Sequence, residues 1–206
     1  MIATIRRQGF CLLLLTALSG CSALSALDEA SKPLEVYELT TPAVRPSGAR
    51  RNVELVVEEP AASGALATER IMVRPAPLQA QYLPGVRWAD TAPVMLQTLM
   101  VRSLTETGSF SSVGRRPLGT LADYTVLSEL TDFQAETTGE AGQATVRIRM
   151  SFRLVRENDA RVVASRTLTA TDAATSTEVD AIATAFDRAT TRLLTEAVPW
   201  IIANTP

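Results

Sequence analysis

Cys21 carries the clearest chemistry in this 206-residue chain. Its thiol follows Leu18-Ser19-Gly20 at the end of an apolar run that begins at Phe10, with Arg6 and Arg7 further upstream. A positive start, a short apolar stretch and small residues ahead of a cleavage point make a secretory signal.

The residues Leu18-Ser19-Gly20-Cys21 resemble the bacterial lipobox, which implies that the signal is cut before Cys21 and that its thiol and the new amino terminus receive acyl chains. Each buried methylene contributes about 0.8 kcal/mol and one chain holds only marginally, so two or three long chains of the palmitate type would give a stable anchor. Residues 1–20 are then expected to leave as a lipoprotein signal peptide, and 21–34 to form a lipidated tether rich in Ser and Ala. Two alternatives stand beside this reading: a plain signal peptide that happens to contain a cysteine, and a membrane-spanning helix. The apolar stretch falls far short of the roughly 20 residues a helix needs to cross a bilayer. The protein is expected to lie on a membrane without spanning it.

Other chemistry is scarce. The chain has no histidine and two cysteines, of which Cys11 leaves with the signal and Cys21 is acylated. No disulfide, no thiolate or imidazole nucleophile and no transition-metal site built on those ligands can then form. Neither a cofactor nor an enzyme activity is expected. Glu58-Glu59 is a carboxylate pair of the kind general acid–base work uses, but neighbours at the end of a strand point to opposite faces and read as solvated surface. Ser128 and Ser151 lack a candidate base, and the glycines form no phosphate loop. Removing Arg6 and Arg7 leaves 18 basic against 22 acidic residues, a charge of minus four. That balance cannot neutralise phosphates and argues against nucleic acid as partner.

Binding chemistry concentrates elsewhere. Arg70, Arg74, Tyr82, Arg87 and Trp88 fall within nineteen residues, in short proline-interrupted strands, and Arg, Tyr and Trp are the types enriched in binding hot spots. The competing reading buries Tyr82 and Trp88 in the core while the arginines pair with nearby acids. Arg147, Arg149 and Arg153 share the polar face of one strand and could meet an anionic headgroup or an acidic partner. Cross-strand pairing with Glu129, or plain solvation, explains them as well.

The elements that must position these residues follow from periodicity. Glu35 to Leu39 and Val53 to Val57 read as strands, and Arg70 to Arg74 as a strand near a sheet edge, ended by Pro75 and Pro77. Pro84-Gly85 has the makings of a type II turn, which predicts a small hairpin between Leu78–Tyr82 and Val86–Trp88. Asp90 is expected to cap a well-buried helix with Pro93 in its first turn and Gly108 as its stop. A short strand over Phe110–Val113 leads to a meander. Tyr124, Val126 and Leu130 lie in its first strand, and Gly139 and Gly142 mark the turn. Val146, Ile148, Met150, Phe152 and Leu154 then alternate with polar residues, and a third strand covers Arg161–Thr169. Thr175 and Glu178 have capping-box spacing ahead of a helix with Val179, Ile182, Phe186, Ala189, Leu193 and Ala197 on one stripe. Pro199 is expected to disturb its last turn.

About 185 residues remain after processing, enough for one domain with a real core. With 46% apolar residues and 20% charged, that domain should fold by burial alone. The economical architecture over 35–206 is a single two-layer α/β domain, a largely antiparallel sheet with two main helices packed on one face.

Several short motifs taken in order carry a family resemblance. Tyr37-Glu38-Leu39-Thr40-Thr41-Pro42, then Arg70-Ile71-Met72-Val73-Arg74 to Tyr82, then Arg87-Trp88-Ala89-Asp90 and Gly108-Ser109-Phe110 resemble the ABC-type transport auxiliary lipoproteins, the PqiC-like component of Mce-type lipid transport systems. The resemblance spans about 35 to 200. It implies a periplasmic domain anchored to the outer membrane, working with an Mce-domain protein and an ABC permease and ATPase that move lipids across the envelope. Ser22, beside the anchor, fits outer-membrane sorting. A homo-oligomer is compatible with this. Two other roles remain open from sequence: a lipid-binding carrier that opens to hold an acyl chain, and a lipoprotein regulator of cell-wall synthesis.

Overall fold

A computed structural model describes residues 33–45, 50–137 and 142–206. The expected signal peptide, Cys21, the expected tether up to Lys32 and Gly139 lie outside the described residues. In chain order the elements are β1 (Glu35–Tyr37), β2 (Arg51–Val57), β3 (Ala61–Ala62), β4 (Met72–Ala76), β5 (Gln79–Tyr82), β6 (Val86–Trp88), α1 (Ala92–Glu106), β7 (Phe110–Gly114), β8 (Tyr124–Glu136), β9 (Ala144–Arg156), β10 (Arg161–Ala174) and α2 (Val179–Asn204).

Strand β9 is where sequence pattern and packing agree most fully. Val146, Ile148, Met150, Phe152 and Leu154 are completely buried, while the residues between them face away. Each such side chain contributes roughly 1.5–3 kcal/mol by leaving water. β9 pairs antiparallel with β8 on one side and β10 on the other. These three strands are the antiparallel half of the sheet.

The far edge of β8 is parallel. Val56 lies opposite Thr125, Ala61 opposite Glu129 and Val73 opposite Ala135, so β2, β3 and β4 line up in succession along one long strand. β7 then pairs parallel with β2. The sheet runs β10-β9-β8-β2-β7, with β3, β4 and β5 added at the upper part of β8. A register shift between Leu130 and Asp132 changes the parity of β8. Tyr124, Val126 and Leu130 face the core before it, and Phe133 and Ala135 after it, as an inserted residue in a strand requires.

Helix α2 packs on β9 and β10 and touches α1, which covers β2 and β7. Ile182, Phe186, Ala189, Leu193 and Ala197 form its buried stripe. α1 buries Met95, Leu96, Leu99, Met100 and Leu104, the broad apolar face its composition calls for. Its one long buried polar side chain, Gln97, donates from Nε2 to the Val57 carbonyl at 3.0 Å. Gly108 ends α1 with φ +63°, a conformation that costs a β-carbon about 1–2 kcal/mol.

Several local expectations are corrected. Gly85 has the positive φ of 73° its turn needs, yet the strands it joins do not pair with each other: β5 pairs with β4, and β6 with β1. Turn chemistry fixed the bend, and longer-range partners took both strands. The N-cap of α1 is Thr91, with Asp90 accepting the Thr91 N–H at 2.8 Å. α2 starts from Glu178, without the Thr175 capping box. Pro199, expected to disturb the last turn of α2, lies inside the helix, which continues to Asn204. Arg147 pairs with Glu136 at 2.9 Å, and Glu129 lies opposite Ser151.

Candidate functional site

The β4–β5 hairpin brings two of the hot-spot candidates together, and Glu69, next to Arg70 in the chain, joins a third. Met72 and Tyr82 are register partners, so Arg70, two residues before Met72, reaches over the Tyr82 ring with its guanidinium carbon 4.1 Å from the centroid. Such a stack contributes about 0.5–1 kcal/mol at an exposed site. The Tyr82 hydroxyl donates to the Ala65 carbonyl at 3.0 Å, which fixes the ring. Arg87 pairs with Glu69 at 3.0 Å and donates to the Trp88 carbonyl at 3.0 Å. The backbone N–H of Trp88 in turn donates to the Glu69 carbonyl at 2.6 Å. Glu69, Arg70, Tyr82 and Arg87 thus make one polar surface beside the hairpin base, presenting both charges and an aromatic face.

Trp88 does not belong to that surface. It is 1% exposed, because the alternation of β6 points Val86 and Trp88 inward and Arg87 outward. Its ring packs against Phe133 and Phe186, at centroid distances of 5.8 and 5.2 Å. Its place is therefore the core, and it offers no face to a partner. Arg74 also stands apart. It is half-buried, its carbonyl accepts the Thr137 N–H at 3.0 Å, and its Nε is buried without a partner. Glu69 is the residue that sequence reasoning missed. Its only signal was the spacing to Arg87, which no strand pattern links.

Two charge clusters organise the rest of the surface. On the open face of the sheet, the hydrogen bond from Arg147 to Glu136, helped by the nearby charge of Asp132, raises the Arg147 pKa, while Arg149 and Arg153 have no acidic partner among the described residues. On the inner face of edge strand β10, Asp172 is clamped by Arg188 and Arg192 from α2. Arg188 and Arg192 also donate to the carbonyls of Ala173 and Thr171 at 3.0 and 2.9 Å. An inward charge on an edge strand blocks pairing with a second sheet.

A groove of about 480 Å³ opens between the C-terminal half of α2 and the 43–45 segment, lined by Val44, Val198, Pro199 and Ile202, with Arg45 and Thr107 among the lining residues. Neighbouring Ile201 is fully buried, and half-buried Trp200 rests on Phe152 with centroids 6.4 Å apart. Among the described residues, no three potential ligands cluster to hold a metal ion, and no helix is long and apolar enough to cross a membrane.

The family model of the ABC-type transport auxiliary lipoprotein component matches residues 37–198. The chain belongs to the ABC-type transport auxiliary lipoprotein family. This auxiliary lipoprotein is similar to a crystallised protein of Xanthomonas campestris, at 31% identity and a TM-score of 0.74, covering 82% of this chain and 95% of that one. It shares its fold with a hypothetical protein of Chlamydia trachomatis, at 11% identity and a TM-score of 0.52, over 75% and 98% of the two chains. An uncharacterized protein of Bradyrhizobium diazoefficiens is 30% identical over 174 residues, 81% of this chain. The auxiliary lipoprotein spans 44% of the length of that relative.

Proposed function

We propose that this auxiliary lipoprotein is a non-catalytic accessory subunit of an Mce-type intermembrane lipid transport system. Cys21, acylated, holds it at the periplasmic face of the outer membrane. The surface formed by Glu69, Arg70, Tyr82 and Arg87 docks the Mce-domain protein, which works with an ABC permease and ATPase. Membership of the auxiliary family across 37–198 is the observation that carries this reading. The stacked Arg70–Tyr82 pair supports the choice of surface, because a pre-ordered arginine and tyrosine lose little side-chain freedom on binding.

Co-purification from membranes tests it. The wild-type protein is expected to recover the Mce-domain protein, and Arg70→Glu combined with Tyr82→Ala to lose it while keeping the native circular dichroism spectrum. Equal recovery by the folded double variant would remove this surface from the account.

The apolar groove beside Val198 and Ile202 favours a second reading, a carrier that holds an acyl chain there. Native mass spectrometry of delipidated protein would then show bound phospholipid, and Ile202→Arg would abolish it. Lipid-free spectra under the same conditions would set this reading aside.

A further inference from the structure

The β4–β5 hairpin overshoots the sheet. β4 runs parallel to β8, and their register ends with Arg74 opposite Glu136, the last residue of β8. The chain from Pro75 to its return at Gln81 therefore projects past the end of that strand. Measured from the Met72–Tyr82 pair, the tip lies about 17 Å further out at the rise of an extended strand. Leu78, at this tip, is 102% exposed. No charged residue occurs from Pro75 to Val86, in a chain that is 20% charged. Pro75 and Pro77 have no N–H to withdraw from water. A tip of this kind leaves water with little penalty, whereas a charged one does not.

The same end of the domain receives the chain from the anchor. Glu136 lies opposite Thr145 and Ala144 opposite Ala174, so the C-terminal ends of β8 and β10 coincide there, and α2 begins shortly afterwards at Val179. Tyr37, at the start of the compact unit that begins at Val36, donates its hydroxyl to Asp180 in the first turn of α2 at 2.5 Å. The other end is marked by Pro206, which lines a groove with Tyr124 and Arg156. Fourteen residues separate Cys21 from Val36, a reach of up to about 50 Å when extended. An acyl anchor on Cys21 does not by itself specify which face of the domain meets the membrane, and a second contact would specify it.

We propose that the Pro75–Gln81 tip is a membrane-contact element, which meets the lipid surface holding Cys21 and seats the domain end-on, with Leu78 at the boundary between headgroups and acyl chains. The inference rests on the anchored reading given above. Lipid is the occupant because the tip has an aliphatic side chain and prolines, without the arginine, tyrosine or tryptophan that mark a protein hot spot. Those residue types sit at the hairpin base, on Arg70 and Tyr82, which this orientation leaves free for a partner beside the membrane.

Leu118 supplies the control. It is 82% exposed, follows Arg115, Arg116 and Pro117, and lies in a loop where its N–H donates to Glu54 Oε1 at 2.5 Å. The acylated full chain carrying Leu78→Cys or Leu118→Cys has one free thiol, which takes an environment-sensitive fluorophore. Each is reconstituted on dioleoylphosphatidylcholine vesicles with and without bromine on the acyl chains. The Leu78 probe is expected to shift to the blue and to be quenched about twofold by brominated lipid, and the Leu118 probe to read as in water. A Leu78 probe that stays aqueous on protein that floats with the vesicles overturns the proposal and leaves the anchor intact, as does one that responds only to added protein. Acylated protein that fails to float removes the anchored reading and the proposal together.

Discussion

Trp88 and Phe186 meet edge to face, with ring centroids 5.2 Å apart and planes at 80°. This contact ties the short strand β6 to the middle of α2, and Phe133 completes a three-ring cluster 4.8 Å from Phe186. Trp88→Ala is expected to cost about 3–5 kcal/mol, lowering Tm by on the order of 10 °C in a domain of this size. Trp88→Phe keeps a ring, removes an indole N–H that has no partner, and should cost only about 1–2 kcal/mol. Its partner recovery should match the wild type. Thermal unfolding followed by near-UV circular dichroism measures both variants, and wild-type melting of Trp88→Ala would contradict the core placement.

Asp172 holds α2 to the edge of the sheet. Its carboxylate is 10% exposed, between two arginines whose side chains are about half exposed, so solvent screens part of the attraction. Asp172→Ala should lose about 1–2 kcal/mol, and a double-mutant cycle with Arg192→Ala should give a coupling of about 0.5–1 kcal/mol that shrinks in high salt. Urea unfolding of the four proteins provides the cycle. A coupling of zero would show that the clamp adds nothing.

Asp159 responds to pH through Arg156. The guanidinium donates to both carboxylate oxygens, at 3.0 and 2.7 Å, and this hydrogen bonding holds the Asp159 carboxyl below its ordinary value of 3.8. A carboxyl lowered by folding adds stability that is present above the unfolded value and is lost as pH falls through the folded one. Carbon-detected NMR titration should therefore place Asp159 below the usual carboxylate range in the wild type and raise it in Arg156→Leu, with Arg161 still holding part of the lowering. Identical titration curves in the two proteins would rule out the pair as the cause.

The parts of this fold legible in the sequence are those set by local period. Five alternating apolar residues in β9 and the α2 stripe from Ile182 to Ala197 left little freedom in how those elements could lie. Strand β8 was harder, because the bulge after Leu130 moves Phe133 and Ala135 onto the face that even-numbered residues had occupied. The parallel partners along β8 depend on residues more than sixty positions apart, such as Val73 and Ala135, and nothing in β4 alone names its neighbour. Pro84-Gly85 specified a bend correctly while leaving open what the flanking strands would join. At the candidate site, residue type marked Arg70, Tyr82 and Arg87 but could not separate them from Trp88, since aromatic residues fill cores and interfaces alike. Glu69 enters only through the geometry that carries Arg87 back to it.

The central claim is that the chain works as a lipid-anchored accessory, and comparison of the native protein with Cys21→Ser in fractionated envelopes tests it most directly. The account predicts that the native protein sediments with the outer membrane and recovers its transport partner. Cys21→Ser should be folded, released into the periplasmic fraction, and recover little or none. Unchanged sedimentation and partner recovery after Cys21→Ser would contradict it.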